Sequence, residues 1–199
     1  KAYATDIYES ADRLDRLVTE LVEINSVETS PINLSIEPVD LNFTITEGVV
    51  RFKAEYPRFD VSVKLTPAVP LVNGDVGKLA DVLHALLENA ATYSPDGGEI
   101  EVSSAVSLGE VMVNVRDAGI GNHADLDNRL FGSGDVYANN PLRKVVGSGL
   151  GLAIARQVVE MHGGHIWVEH MPRGSVTHFT VPVALEQPGL HADAGGRVA

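Results

Sequence analysis

Apolar residues recur along this chain at two spacings, three-to-four and two, and the changes between them mark out the elements. Ile7, Ala11, Leu14, Val18 and Leu21 keep a heptad spacing, and Leu17 and Ile24 widen the stripe. Asp12, Arg13, Asp15, Arg16, Glu20 and Glu23 cover the other side, so one amphipathic helix is predicted over 3–27. So wide a stripe, beginning at once, suggests a partner helix in another chain or in preceding sequence; an ordinary helix packed on the domain is the competing reading. Thr29-Ser30-Pro31-Ile32-Asn33 breaks the pattern and reads as a hinge. A second helix is predicted over 41–56, stopped by Pro57. Val61, Val63 and Leu65 alternate with Ser62, Lys64 and Thr66, which predicts a strand closed by Pro67 and Pro70.

Asp75 then opens a helix to about residue 93, with Val76, Leu79, Leu83, Leu86 and Ala90 predicted on its core face. Strands are predicted over 99–106, with Ile100 and Val102 inward, and over 111–117 after a turn at Gly109. Residues 122–146 show no clear period and read as a lid that moves in the absence of ligand. A further helix follows, its apolar face formed by Leu150, Ile154, Val158 and Met161. Gly163-Gly164 turns into strands over 165–171 and 175–183, and the glycine-, alanine- and proline-rich residues 186–199 read as a disordered tail.

Composition narrows the function. Hydrophobic residues make up 44% of the 199, enough for a sizeable core, and no apolar run approaches the roughly 18 residues of a membrane span. Nothing reads as a signal peptide. With no cysteine there is neither a disulfide nor a thiolate metal site, which is neutral to weakly supportive of a cytoplasmic location. The net charge of −12 argues against a nucleic-acid groove or an anionic membrane surface. A phosphate ligand would therefore be held by local backbone and a few side chains.

Three places suggest chemistry. Val146-Gly147-Ser148-Gly149-Leu150-Gly151-Leu152 runs straight into helical pattern, and glycines at a helix start offer unpaired N–H groups and partial positive charge to phosphate. Leu152 stands where a dinucleotide fingerprint needs glycine, and a P-loop would need Gly-Lys-Ser/Thr; plain turn chemistry is the competing reading. Asn89 is a mediocre helix former in mid-helix, and a solvent-facing position would explain it as well as a function. Asp117 shares a strand face with Val111, Val113 and Val115, where a carboxylate is costly without donors. The amides of its own turn are one possible source.

Taken in order, these features resemble the ATP-binding domain of sensor histidine kinases, in the superfamily that also holds DNA gyrase, heat-shock chaperone and mismatch-repair ATPases. Leu86-Leu87-Glu88-Asn89-Ala90-Ala91-Thr92-Tyr93-Ser94-Pro95 looks like the asparagine box, and Asp117-Ala118-Gly119-Ile120-Gly121 matches the Asp-x-Gly-x-Gly box. Gly147 to Leu152 matches the second glycine box, and Thr177-His178-Phe179 is similar to the closing Thr-x-Phe strand. Leu14-Asp15-Arg16-Leu17-Val18 resembles the second helix of the dimerisation hairpin.

The resemblance implies an α+β fold, a two-layer sandwich with helices on one face of a mixed sheet, preceded by the amphipathic helix. It implies a partial dimerisation hairpin over 1–30, the ATP-binding domain over 31–185 and the tail over 186–199. Asp117 would accept the adenine amino hydrogen and Asn89 would coordinate Mg2+ bridging the phosphates. Gly119 and Gly121 would admit the base, and Gly147, Gly149 and Gly151 would offer amides to phosphate. Arg143 or Lys144 would reach the terminal phosphate from the lid, and Tyr93, Leu150, Leu152 and Thr177 complete the implied ATP-binding set. The implied partners are a response regulator receiver domain and a second copy bound through the N-terminal helix, with no nucleic acid and no membrane contact. The location is the cytoplasm, free or as the cytoplasmic part of a membrane-bound sensor.

Ala85 and Thr92 depart from the pattern, standing where the family has a polar residue, commonly asparagine, and often a basic one. Gly134 takes the place of the lid's second phenylalanine, and His84, one residue from the gap, turns about 100° away. None of His84, His123, His162, His165, His170, His178 or His191 has the His-Glu/Asp-x-Arg setting of the phosphoacceptor, which is expected outside these residues. The rival expectations are a weakened pseudokinase and, less favoured because Ala85 replaces the water-activating glutamate, an ATP-hydrolysing switch. Trp167 and the five tyrosines are expected in the core.

Overall fold

A computed structural model describes residues 33–94, 97–119 and 151–184. Its elements in chain order are β1 (Glu37–Val39), α1 (Leu41–Glu55), β2 (Phe59–Lys64), β3 (Val72–Gly74), α2 (Val76–Thr92), β4 (Gly98–Ser107), β5 (Glu110–Asp117), α3 (Gly151–Met161), β6 (Ile166–His170) and β7 (Ser175–Pro182). The N-terminal helix, the lid and the tail expected from the sequence lie outside the described residues.

Local chemistry starts and stops the helices. Asp40 caps α1 by accepting the Phe43 N–H at 3.1 Å, and the chain leaves through Tyr56 before Pro57. Asp75 caps α2 by accepting the Lys78 N–H at 3.0 Å. Its other oxygen takes the Ser35 N–H at 2.9 Å, fastening the incoming chain to this helix start. Those two amides, Ser35 foremost, hold the Asp75 carboxyl below its ordinary value of 3.8.

The five-stranded sheet has the order β2-β4-β5-β7-β6, with β2 parallel to β4 and the remaining pairs antiparallel. All three helices pack on one face, which makes the mixed two-layer sandwich. Ile100, Val102, Val111, Val113, Val115, Phe179 and Val181 meet Phe52, Leu79, Leu83, Leu86, Leu87 and Val159 in a closed core. The three-residue strands β1 and β3, which sequence periodicity missed, pair with each other and join β7 through a bridge between Val72 and Val183. Asn42, Thr66 and Ser104 exchange hydrogen bonds of 2.6–3.0 Å, so the polar groups where α1, β4 and the end of β2 meet are mutually satisfied.

Three predicted core positions are corrected, and one apolar strand position is also exposed. Val76 is 42% exposed because it lies in the first turn, beyond the cover of the neighbouring helix, and Val82 and Leu87 fill the core instead. Met161 is 38% exposed: α3 buries Leu152, Ala155, Val158 and Val159, a face rotated from the predicted stripe. Val63 is exposed towards the end of edge strand β2. Trp167 is 40% exposed, on the sheet face that the helices leave uncovered, and stacks on His178 at 4.9 Å. The described tyrosines, Tyr56 and Tyr93, pack against the core as expected.

Candidate functional site

Alternation along β5 puts Asp117 on the helix-covered face, 5% exposed, as the sequence predicted. Its charge is met from two directions. The Gly119 N–H donates to Oδ1 at 2.9 Å, the turn amide that the sequence allowed for. The Ser175 hydroxyl donates to Oδ2 at 2.6 Å, from a strand 58 residues away. An ionised carboxylate has about four lone-pair positions, so acceptor capacity remains. Ser175 was missed in the sequence, although period 2 from Thr177 places both on one face, and Thr177 lies opposite Val115.

Backbone contact then joins this strand end to α2. A Cβ on Gly119 would lie 2.2 Å from the Tyr93 carbonyl oxygen, and one on Gly174 would lie 2.0 Å from the Asp117 carbonyl oxygen. Neither neighbour can yield, because both are main chain. The β6–β7 turn closes on the same place, with Arg173 Nε donating to the Ala118 carbonyl at 3.4 Å.

Asn89, half-buried, is one helical turn before Tyr93, whose N–H bonds to the Asn89 carbonyl at 3.1 Å. Ala85 is a further turn back, and a Cβ on Gly151 would lie 3.7 Å from its methyl. The opening of α3 therefore lies beside the helix that carries Asn89. The structure thus brings Asp117, Gly119, Tyr93, Asn89 and Gly151 to neighbouring element ends. Thr177 is buried on β7, and Leu152 is a core side chain, which leaves only its backbone for a ligand. Gly121, Arg143, Lys144, Gly147, Gly149 and Leu150 lie outside the described residues.

A purine nucleotide fits what is present. Asp117 offers a purely accepting group in an apolar wall, and the Ser94 hydroxyl, one residue past Tyr93, is buried without a partner among the described residues. Mg2+ takes one or two protein oxygens and completes its shell with phosphate and water, so the Asn89 side-chain carbonyl suits it. His84 is not part of this arrangement. Its Nε2 lies 3.6 Å from Glu88, which also accepts the Tyr56 hydroxyl at 3.0 Å, so it faces α1. Hydrogen bonding to Glu88 raises the His84 pKa above 6.5, against a smaller effect of burial.

Residues 74–185 match the family described as histidine kinase-, DNA gyrase B- and HSP90-like ATPases. The chain belongs to that family. It is 33% identical over 174 residues to the adaptive-response sensory kinase SasA of Thermosynechococcus vestitus, covering 85% of this chain and 45% of SasA. It spans half or less of the length of the curated relatives it matches, from 50% of one to 22% of another. The solved mycobacterial sensor histidine kinase MprB aligns at a TM-score of 0.63 and 30% identity, covering 74% of this chain and 97% of that one. Histidine kinase ThkA, in complex with the response regulator protein TrrA, aligns at 0.71 and 27%, covering 87% and 49%. Within the family, then, the chain is an ATP-binding catalytic domain of the sensor histidine kinase type.

Proposed function

We propose that this chain binds ATP with Mg2+ and donates the γ-phosphate to a histidine outside these residues, for relay to a response regulator. The buried Asp117 carboxylate, held by Gly119 and Ser175 at the end of α2, is the observation that carries this reading. Asp117 accepts the adenine amino hydrogen, and Gly119 and Gly121 admit the base edge. The amides of Gly147, Gly149 and Gly151 receive the phosphates, and Arg143 or Lys144 neutralises the terminal one. Asn89 lends its carbonyl oxygen to Mg2+. The bound cation would offset charge on the phosphate oxygens as transfer proceeds. Residues 1–30 act as part of a dimerisation hairpin, residues 31–185 as the catalytic domain and 186–199 as a tail, in a cytoplasmic homodimer. The complex of the similar ThkA with a response regulator supports the proposed partner.

Calorimetric titration with ATP, with and without Mg2+, tests the reading. Wild type is expected to bind more tightly with the cation, and Asn89→Ala to lose that difference. Equal Mg2+ dependence in the two proteins would remove Asn89 from the metal site.

A second reading, a catalytically weakened pseudokinase, is favoured by Ala85. Its methyl lies beside Gly151 and offers neither a hydrogen bond nor a metal ligand at the start of α3. Ala85→Asn should speed radiolabel transfer in the full cytoplasmic protein more than it tightens ATP binding. Fast transfer unaffected by the change would show Ala85 to be no defect, and no transfer from either protein would favour the pseudokinase.

A further inference from the structure

One residue beyond α3, the side chain of His162 folds back and is only 8% exposed. Its Nε2 receives the Asp75 N–H at 2.9 Å. An amide N–H can only donate, so Nε2 carries the lone pair and the proton lies on Nδ1, which donates to the Val158 carbonyl at 2.7 Å. Both ring nitrogens are thus committed. The backbone beside them is cut to fit the ring: a Cβ on Gly74 would lie 2.6 Å from Leu79 Cδ1 and 3.1 Å from the His162 ring.

The two ends of α3 do different things. α2 and α3 run antiparallel, with Asp75 and His162 together at one end and Ala85 and Gly151 together at the other. The buried face of α3 between these points is apolar, formed by Leu152, Ala155, Val158 and Val159. Apolar contact is non-directional, so it resists separation of the helices far better than it resists sliding. The bond from Asp75 is directional and ties the start of α2 to the end of α3. α3 has 11 residues, or about 16 Å at 1.5 Å per residue, and an axial slip of a rigid helix reaches its far end undiminished.

We propose that His162 is a positioning residue for the phosphate-binding end of the site, fixing through Asp75 where the opening of α3 lies along α2. The proposal rests on the ATP reading above and adds a residue remote from any ligand contact. It separates two parts of the nucleotide. The base is assigned to Asp117 at the end of β5 and Gly119 just beyond it, which His162 does not touch, whereas the phosphates are assigned to the start of α3.

The experiment compares ATP with adenosine, each titrated by calorimetry into wild type, His162→Phe, His162→Gln and Gly74→Ala, with a thermal melt of each. His162→Phe keeps a ring but has no nitrogen, and Gly74→Ala crowds Leu79 Cδ1 at 2.6 Å and the His162 ring at 3.1 Å without altering the ring's chemistry. Both are expected to lose about tenfold or more in ATP affinity while adenosine affinity holds. His162→Gln, which can donate and accept, should recover part of the loss. If His162→Phe does not fold, Gly74→Ala and His162→Gln carry the comparison. Equal losses for ATP and adenosine, or unchanged ATP affinity in a folded variant, would overturn the positioning role while leaving the nucleotide reading intact. A wild type that binds neither ligand would overturn both.

Discussion

Asp117→Asn separates the observed use of this carboxylate inside the fold from its proposed use towards a ligand. In the folded chain Oδ1 must accept from the Gly119 N–H at 2.9 Å, so the asparagine oxygen is expected there. The amide nitrogen then takes the place of Oδ2, where the Ser175 oxygen accepts in place of donating at 2.6 Å. The internal bonds survive with their direction changed on one side, so stability should move by no more than about 1 kcal/mol. The ligand meets a different group. A charged acceptor is lost to the adenine amino hydrogen, and a donor is brought near it. A hydrogen bond to a charged group contributes about 1.5–3 kcal/mol, which at 1.4 kcal/mol per decade is about 10- to 150-fold in affinity. Calorimetry with ATP and Mg2+, beside a urea melt of each protein, reads both quantities. Unchanged ATP affinity in a folded Asp117→Asn protein would refute the adenine assignment. A collapse of stability instead would mean that the fold needs the charge.

Gly119→Ala should cost about 1–3 kcal/mol in a denaturant melt and weaken ATP binding, because the new methyl meets the Tyr93 carbonyl and not a side chain that could move; an unaltered melt would count against the close contact. His178 offers a pH test with a built-in probe, since its ring stacks on the chain's single tryptophan, Trp167. Burial, partly opposed by Glu169, lowers the His178 pKa below 6.5. The folded state then holds fewer protons than the unfolded one, so this contribution to stability is full above pH 6.5 and is lost as pH falls through the folded value. Trp167 fluorescence should titrate with a midpoint below 6.5 that disappears in His178→Gln; a midpoint at or above 6.5 would contradict the burial effect.

Much of this architecture could be read one element at a time. Asp75 announced a helix start, Pro57 a helix end, and the alternation through Val111, Val113 and Val115 carried Asp117 onto the covered face before any fold was known. Helix period and strand alternation arise within a few residues, so they survive in sequence. Strands of three residues, as in β1 and β3, are too short to show a period and exist because they pair with each other.

The sequence by itself therefore determined the order and type of the long elements, the side on which Asp117 lies, and the four boxes that carry the family resemblance. Tertiary structure alone decided what covers each face. Val76, Met161 and Trp167 follow the apolar pattern yet remain exposed, because the first turn or end of a helix and the uncovered face of a sheet have no neighbour to bury them. It also decided the partners of the polar groups: Ser175 for Asp117 across 58 residues, Asp75 for His162 across 87. Periodicity says which way a side chain points, whereas its hydrogen-bond partner depends on strand order and helix register, which are set by packing the whole chain.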